Sequence, residues 1–352
     1  MYIIKLIEIT FFFFGFISGI FLYNCCMIIF YKANYQIKSA KVKYDSKLAD
    51  ELVKNVRIFC WILTHPKNHK TKIPHMKATW ARRCDKLVIF STETDKDDPD
   101  IVALSNLNGR EHLWNKTKYA IKYVYENHIN DADWFVRADD DNFFLIENLR
   151  HKLYQLNSKI SFFIGSRFAI NDSDISEGYM AGGGHAFSKK ALKKFVTKLL
   201  LKEEICPTYD ELAEDVFLGM CFKNEAIFVD AFDSLNQKQM FPVSIEEHMI
   251  EKIRDPNFWY WRYLWKNVQQ GGLKCCSDLF ISAHYVKPNE MHLLENLIYH
   301  VHPFGLEKNS SEELPKKLSM NEILKTSDVK SNSPNFIPHE IIHNFDEDEK
   351  FD

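Results

Sequence analysis

The pattern of apolar and polar positions divides the chain into unlike parts. Residues 9–31 form an uncharged run of 23, rich in Phe and Ile, between Glu8 and Lys32. As a helix, such a run spans roughly 35 Å, enough to cross a bilayer. It exceeds the usual length of a signal-peptide core, and no small-x-small cleavage site follows closely. It therefore predicts a retained signal-anchor, with 1–8 as a short cytoplasmic tail and the polar, lysine-rich 32–55 as a stem. Five lysines from Lys32 to Lys47 follow the span, against Lys5 before it, a bias toward the opposite orientation that a large translocated domain overrides.

From residue 56 the periodicities become those of a folded domain. Residues 56–63 are apolar, as a buried strand would be, and break at Thr64-His65-Pro66. A helical stretch over 74–83 and a strand over 87–91 follow. Leu113, Thr117, Ala120, Ile121 and Val124 recur at helical spacing before a short strand, Trp134-Phe135-Val136-Arg137-Ala138, which runs into Asp139-Asp140-Asp141. Beyond it the pattern predicts a helix over 146–153, a strand over 162–165 and a glycine-rich loop over 178–184. Ser188 reads as the N-cap of a lysine-rich helix reaching about Lys202, and Glu214-Asp215 opens another helix. Strands alternating with helices predict an α/β domain over 56–305, with a mainly parallel sheet covered on both faces. The polar residues 306–352, ending in Asp346-Glu347-Asp348-Glu349, predict a poorly ordered tail.

Composition narrows the classes. A hydrophobic fraction of 46% supports a large core, and a net charge of −3 excludes the basic bias of a nucleic-acid binder. Of eight cysteines, Cys25 and Cys26 fall in the apolar run. Cys60, Cys84, Cys206, Cys221, Cys275 and Cys276 remain, an even number without zinc-type spacing that suits either disulfides in an oxidising lumen or six reduced core thiols. Proximity pairs Cys60 with Cys84 and Cys206 with Cys221. Cys275 and Cys276 can bond each other, separate partners or a second chain. Glycosylation triplets start at Asn115, Asn171 and Asn309.

The candidate chemistry centres on the three aspartates at a strand's carboxyl end, where α/β sheets collect ligands. They are either a solvated turn or a site whose cation offsets their repulsion. Glycines 178–184 serve packing or the close approach of a sugar or phosphate to the backbone. Glu214 and Asp215 complement a helix dipole or supply a general base. The tryptophans in Phe258-Trp259-Tyr260-Trp261 are core or a sugar platform, and His284 is structural or a ligand.

Taken in order, Phe59-Cys60-Trp61, Lys77 through Cys84, Trp134 through Asp141, Gly178-Tyr179-Met180, Glu214-Asp215-Val216, Phe258 through Trp261, and Cys275-Cys276-Ser277-Asp278 with His284-Tyr285 resemble the core 1 β1,3-galactosyltransferases, within the β1,3-glycosyltransferase and fringe group. The resemblance implies a GT-A fold, a Golgi or endoplasmic reticulum membrane protein of type II, UDP-galactose as donor, Mn²⁺ as cofactor and a GalNAc-bearing glycoprotein as acceptor. It implies Asp139, Asp141 and His284 at the metal and Asp215 as catalytic base. It further implies Thr64, Arg83, Asp140, Gly182 and Gly183 at the nucleotide sugar, and Trp259, Trp261 and Tyr285 at the acceptor. A homodimer and a dedicated chaperone are partners it leaves open. His185 and Arg262 depart from the family pattern, and both departures bear on acceptor preference. The alternatives are an inactive chaperone-like relative and a fringe-like transferase with another donor; the intact Asp139 and Asp141 favour an enzyme.

Overall fold

The computed structural model describes residues 46–104, 109–169, 177–210, 214–250, 255, 257–265, 274–301 and 314–326. The expected membrane span at 9–31, and the sequons at Asn171 and Asn309, lie outside them. Among the described residues no helix is long and apolar enough to cross a membrane. The end of the expected stem is helical, α1 (Ser46–Asn55).

The domain alternates as its periodicity predicts. β1 (Ile58–Leu63), α2 (Ile73–Ala78), β2 (Lys86–Ser91), β3 (Ile101–Ala103), α3 (Leu113–His128), β4 (Trp134–Asp139), β5 (Phe143–Phe144) and α4 (Ile146–Tyr154) come first. Then follow β6 (Phe162–Phe168), β7 (Tyr179–Ser188), α5 (Lys189–Lys194), α6 (Glu214–Phe222), β8 (Ile227–Asp230), β9 (Met240–Phe241), α7 (Ile245–Met249), β10 (Ser282–Ala283), α8 (Pro288–Tyr299) and α9 (Met320–Thr326). Seven strands form one sheet in the order β3-β2-β1-β4-β7-β6-β8. β1 lies parallel to both β2 and β4, whereas β7 runs antiparallel between β4 and β6. The result is the mixed, mainly parallel sheet of an α/β domain.

All six residues of β1 are buried, and their alternation feeds two cores. Ile58, Cys60 and Ile62 pack with Ile73, Met76 and Trp80 on one face. Phe59, Trp61 and Leu63 pack with Trp114, Ile121 and Val124 on the other. A second sheet, in the order β5-β10-β9, covers the end of the first.

Four local expectations change. The stretch 74–83 is α2 followed by a 3-10 turn, Trp80–Arg83, and the helix capped by the Ser188 side chain passes into a π-helical turn, Phe195–Leu199. Glycines 182–184 belong to β7 rather than a loop. Within the predicted tail, Leu318 donates its N–H to the Gln155 carbonyl at 3.1 Å and Ile323 is buried against the core, because Leu318, Met320, Ile323 and Leu324 give an otherwise polar stretch apolar side chains to pack there.

The disulfides are Cys60–Cys84, Cys206–Cys221 and Cys275–Cys276. The first fastens β1 to the turn before β2 across a separation of 24 residues. Replacing both of its cysteines by alanine is expected to cost about 3 kcal/mol, the chain-entropy scale for such a loop. The midpoint of guanidinium unfolding reads the loss.

Candidate active site

β4 delivers the aspartates to the carboxyl edge of the parallel strands, where Leu63 of β1 stands in register with Asp139. Asn142 is wholly buried and stitches this corner together. Its Oδ1 accepts from the Asp139 N–H at 2.7 Å, and its Nδ2 donates to the carbonyls of Ala283 at 3.3 Å and Gly182 at 3.4 Å. The second sheet sets β10 beside β5, and the Val286 N–H donates to the Asp141 carbonyl at 2.9 Å. His284 thereby arrives next to residues more than a hundred positions earlier.

Asp139, Asp141 and His284 each offer a ligand atom, and these atoms lie within 4.8 Å of one another. His284 Nδ1 lies 3.2 Å from the Pro242 carbonyl, which only accepts, so Nδ1 carries a proton. Nε2 faces the acids, 3.2 Å from Asp141 Oδ1 and 3.8 Å from Asp139 Oδ2. Burial alone would raise Asp141 and lower His284, but the bond between them prevails, holding Asp141 below and His284 above its ordinary value. Two hard carboxylates and an imidazole whose Nε2 would give up its proton to bind a cation form a donor set that fits Mn²⁺.

Asp140 turns the other way. It accepts from Thr64 Oγ1 at 2.6 Å, Asn68 Nδ2 at 2.7 Å and Lys72 Nζ at 2.7 Å. Lys72 also stands 3.7 Å from Asp141, placing a half-buried cation at the mouth of the acid group. Thr64 and Asp140 are thus bonded to each other beside the acid group. Lys72 and Asn68 escaped sequence reading because nothing in the polar stretch around them distinguishes a site from a surface loop.

The two acids of α6 have different surroundings. Glu214 is buried and bonded to Arg137 and to the Thr117 hydroxyl. Asp215 Oδ1 is shielded from solvent and accepts no hydrogen bond. Burial pushes the Asp215 carboxyl up to about 7; Arg137 opposes the rise, while Glu214 and Asp139 add to it. His284 also acts on Asp215 across the site, so Asp215, Asp139 and His284 share one electrostatic neighbourhood. A carboxylate with an unfilled lone pair and a near-neutral pKa is equipped to take a proton. Glu214, already holding two donors, is not.

Tyr179 is a further neighbour: burial, and then Asp215 and Tyr263, push its phenol up to about 12. Its ring packs on Phe168, beside the cluster of Tyr260, Phe258, Trp261 and Tyr263. Trp259 is 41% exposed and Trp261 mostly packed in that cluster, so Trp259 offers the larger face to a ligand. Tyr285 is 49% exposed and stacks on His284 at 4.0 Å from a left-handed backbone, φ 57°, where a bulky residue is strained.

Three residues that the resemblance assigns to the nucleotide sugar also make structural contacts. The Arg83 guanidinium bonds Glu295 at 2.7 Å, reaches Glu147 at 3.3 Å and stacks 3.7 Å over Tyr299; it clamps α8 and has no donor aimed at the acids. At Gly182, φ is +73° and a Cβ would lie 2.3 Å from the Pro242 carbonyl oxygen, while at Gly183 it would lie 2.7 Å from that of Phe241. These glycines let the two sheets touch. His185 is buried between Phe163 and Phe187, away from any acceptor, whereas Arg262 is exposed.

Comparison with known proteins agrees with this geometry. The Fringe-like family matches residues 53–249, from before β1 to α7. Glycoprotein-N-acetylgalactosamine 3-beta-galactosyltransferase 1 of Xenopus laevis is 36% identical over 266 residues, 75% of this chain and 72% of that protein. Beta-1,3-glucosyltransferases of Mus musculus and Homo sapiens are each 30% identical, over 48% and 50% of this chain and 34% of their own lengths. With both the acid-bearing strand and the helix of Asp215 inside the matched region, the chain belongs to the Fringe-like family of glycosyltransferases, on the branch of the core 1 β1,3-galactosyltransferases.

Proposed function

We propose that the protein transfers galactose from UDP-galactose to the 3-hydroxyl of Ser/Thr-linked GalNAc, with inversion at the anomeric carbon. The observation that carries this reading is the Asp215 carboxylate, its Oδ1 unbonded, within electrostatic reach of Asp139 and His284, in a chain 36% identical to such a transferase. Asp139, Asp141 and His284 would hold Mn²⁺, which when bound supplies positive charge for a departing diphosphate. Thr64, Asp140 and Lys72 line the nucleotide side, and Trp259 with Tyr285 the acceptor side. Asp215 takes the proton of the acceptor hydroxyl as that oxygen attacks. One base without a second nucleophilic carboxylate is the logic of inversion. The disulfides suit a secretory lumen, so we place the domain on the luminal side of a Golgi membrane.

The test is transfer by full-length protein in detergent, from UDP-galactose to a GalNAc-peptide, with Mn²⁺ or with EDTA. Metal-dependent formation of a β1,3-linked product is expected; no product from protein that binds UDP and Mn²⁺ would replace donor or acceptor in the reading. The rate also follows the base. Protonated Asp215 cannot accept the hydroxyl proton, so kcat rises with pH and levels off above about 7, far above an ordinary carboxylate's range. A bound dication favours the carboxylate and moves the midpoint below that value. A pH profile of kcat between about 4 and 9 checks it; a rate that does not fall toward acid pH would remove Asp215 as base.

A further inference from the structure

Arg137 interrupts the apolar run of β4 two residues before Asp139, so both side chains leave the same face of the strand. Its side chain is 4% exposed. Nη1 donates to Asp139 Oδ2 at 2.7 Å, and Nη2 donates to Glu214 Oε1, 77 residues later in the chain. Glu214 Oε2 accepts from the hydroxyl of Thr117, which is wholly buried on α3. His185, paired with Arg137 in the sheet, is held neutral against it by burial and by the guanidinium charge. Three elements, β4, α3 and α6, are thus linked through Arg137 and the Glu214 carboxylate.

A buried ion pair of this kind contributes little to net stability, because desolvation offsets its attraction. What it does fix is geometry. Asp139 rides on β4 and the base on α6, and proton transfer and attack lose rate steeply when such groups drift by an ångström. Asp215 is the residue after Glu214, with no bond on its own Oδ1 to hold it.

We infer that Arg137 is a positioning residue of the transfer reaction, tying Asp139 to Glu214 so that the metal donors and the Asp215 base keep their spacing, with Thr117 as the outer end of the tie. The inference rests on the assignment of Asp215 as base. A lysine keeps the charge but is a point donor and does not bridge two carboxylates in a plane. Thr117 touches neither substrate nor metal donor.

The experiment uses full-length Arg137→Lys, Thr117→Val and the double variant, with kcat and KM for transfer, Mn²⁺ affinity in the presence of UDP by paramagnetic resonance, and thermal melting. Arg137→Lys is expected to lower kcat at least ~10-fold and to weaken Mn²⁺ binding. Thr117→Val is expected to lower kcat ~3-fold or more, leaving Mn²⁺ affinity and both KM values within about twofold. The double variant should lose no more than Arg137→Lys alone, as members of one chain of contacts do. Wild-type kcat in Arg137→Lys, losses that multiply in the double variant, or losses confined to KM would each overturn the tie. Thr117→Val keeps the test open if the lysine variant does not fold. If wild type makes no galactosyl product, the proposed reaction fails by itself. The Mn²⁺ affinities still decide the Arg137–Asp139 half of the tie, since that half predicts weaker binding in Arg137→Lys and unchanged binding in Thr117→Val.

Discussion

Asp215→Asn is expected to retain UDP and Mn²⁺ binding and to lose transfer by roughly 10²–10⁴-fold, the scale of a general base. The amide keeps the shape and volume of the carboxyl, so the loss falls on kcat. The same substitution should not destabilise the fold. Asp215 Oδ1 has no hydrogen-bond donor to lose, and its charge is disfavoured where it lies. The sign follows from the raised pKa: a carboxyl lifted from its ordinary value to about 7 contributes its stability at acid pH. That contribution is lost as pH rises from about 4 through 7, because the unfolded chain releases the proton first. Asparagine carries no such penalty. At pH 8 the variant is therefore expected to melt at the same temperature as wild type or higher, as when an active site has been built at the expense of stability. A variant that is fully active, or one that is inactive because it is unfolded, would remove the assignment.

The division between what the sequence carries and what it hides follows the range of the interactions. β1, β4 and α3 are legible because their burial is written in local periodicity, six apolar residues in a row for β1 and a spaced stripe for α3. Asp139 and Asp141 are legible because they terminate such a run. Arg137 carried a signal of its own, a charge inside an apolar strand, which calls for a buried partner. Which partner answers that call, Glu214, depends on how β4 and α6 pack, and no local pattern encodes it. Arg83 has the opposite history. The resemblance sets it at the nucleotide, and no local pattern shows that its guanidinium also bonds Glu295 on α8. The glycines of β7 likewise read as a loop, because their strand conformation depends on the second sheet pressing against Gly182 and Gly183.

Asp141→Ala gives the other large effect expected here. Asp141 faces His284 at 3.2 Å and Lys72 at 3.7 Å, and it is the ligand these two neighbours share. Removing it leaves Asp139 and His284, whose nearest ligand atoms stand 3.8 Å apart, and frees Lys72 to bond Asp140 alone. A site of one carboxylate and one imidazole holds a hard dication poorly. The charge stabilisation such an ion supplies to a leaving diphosphate is several kcal/mol, and a loss of about 4 kcal/mol is roughly 10³ in rate. Transfer should fall by about that factor at Mn²⁺ concentrations saturating for wild type, and UDP affinity should no longer respond to added Mn²⁺. The fold should survive, since Asp141 is partly exposed and its backbone carbonyl, which accepts from Val286, is retained. This outcome differs from that of Asp215→Asn in one respect that a titration resolves. The asparagine variant binds UDP with Mn²⁺ and does not turn over, whereas the alanine variant loses the contribution of Mn²⁺ to binding as well. Wild-type Mn²⁺ dependence in Asp141→Ala would place the metal elsewhere and leave the acids of β4 as a solvated turn.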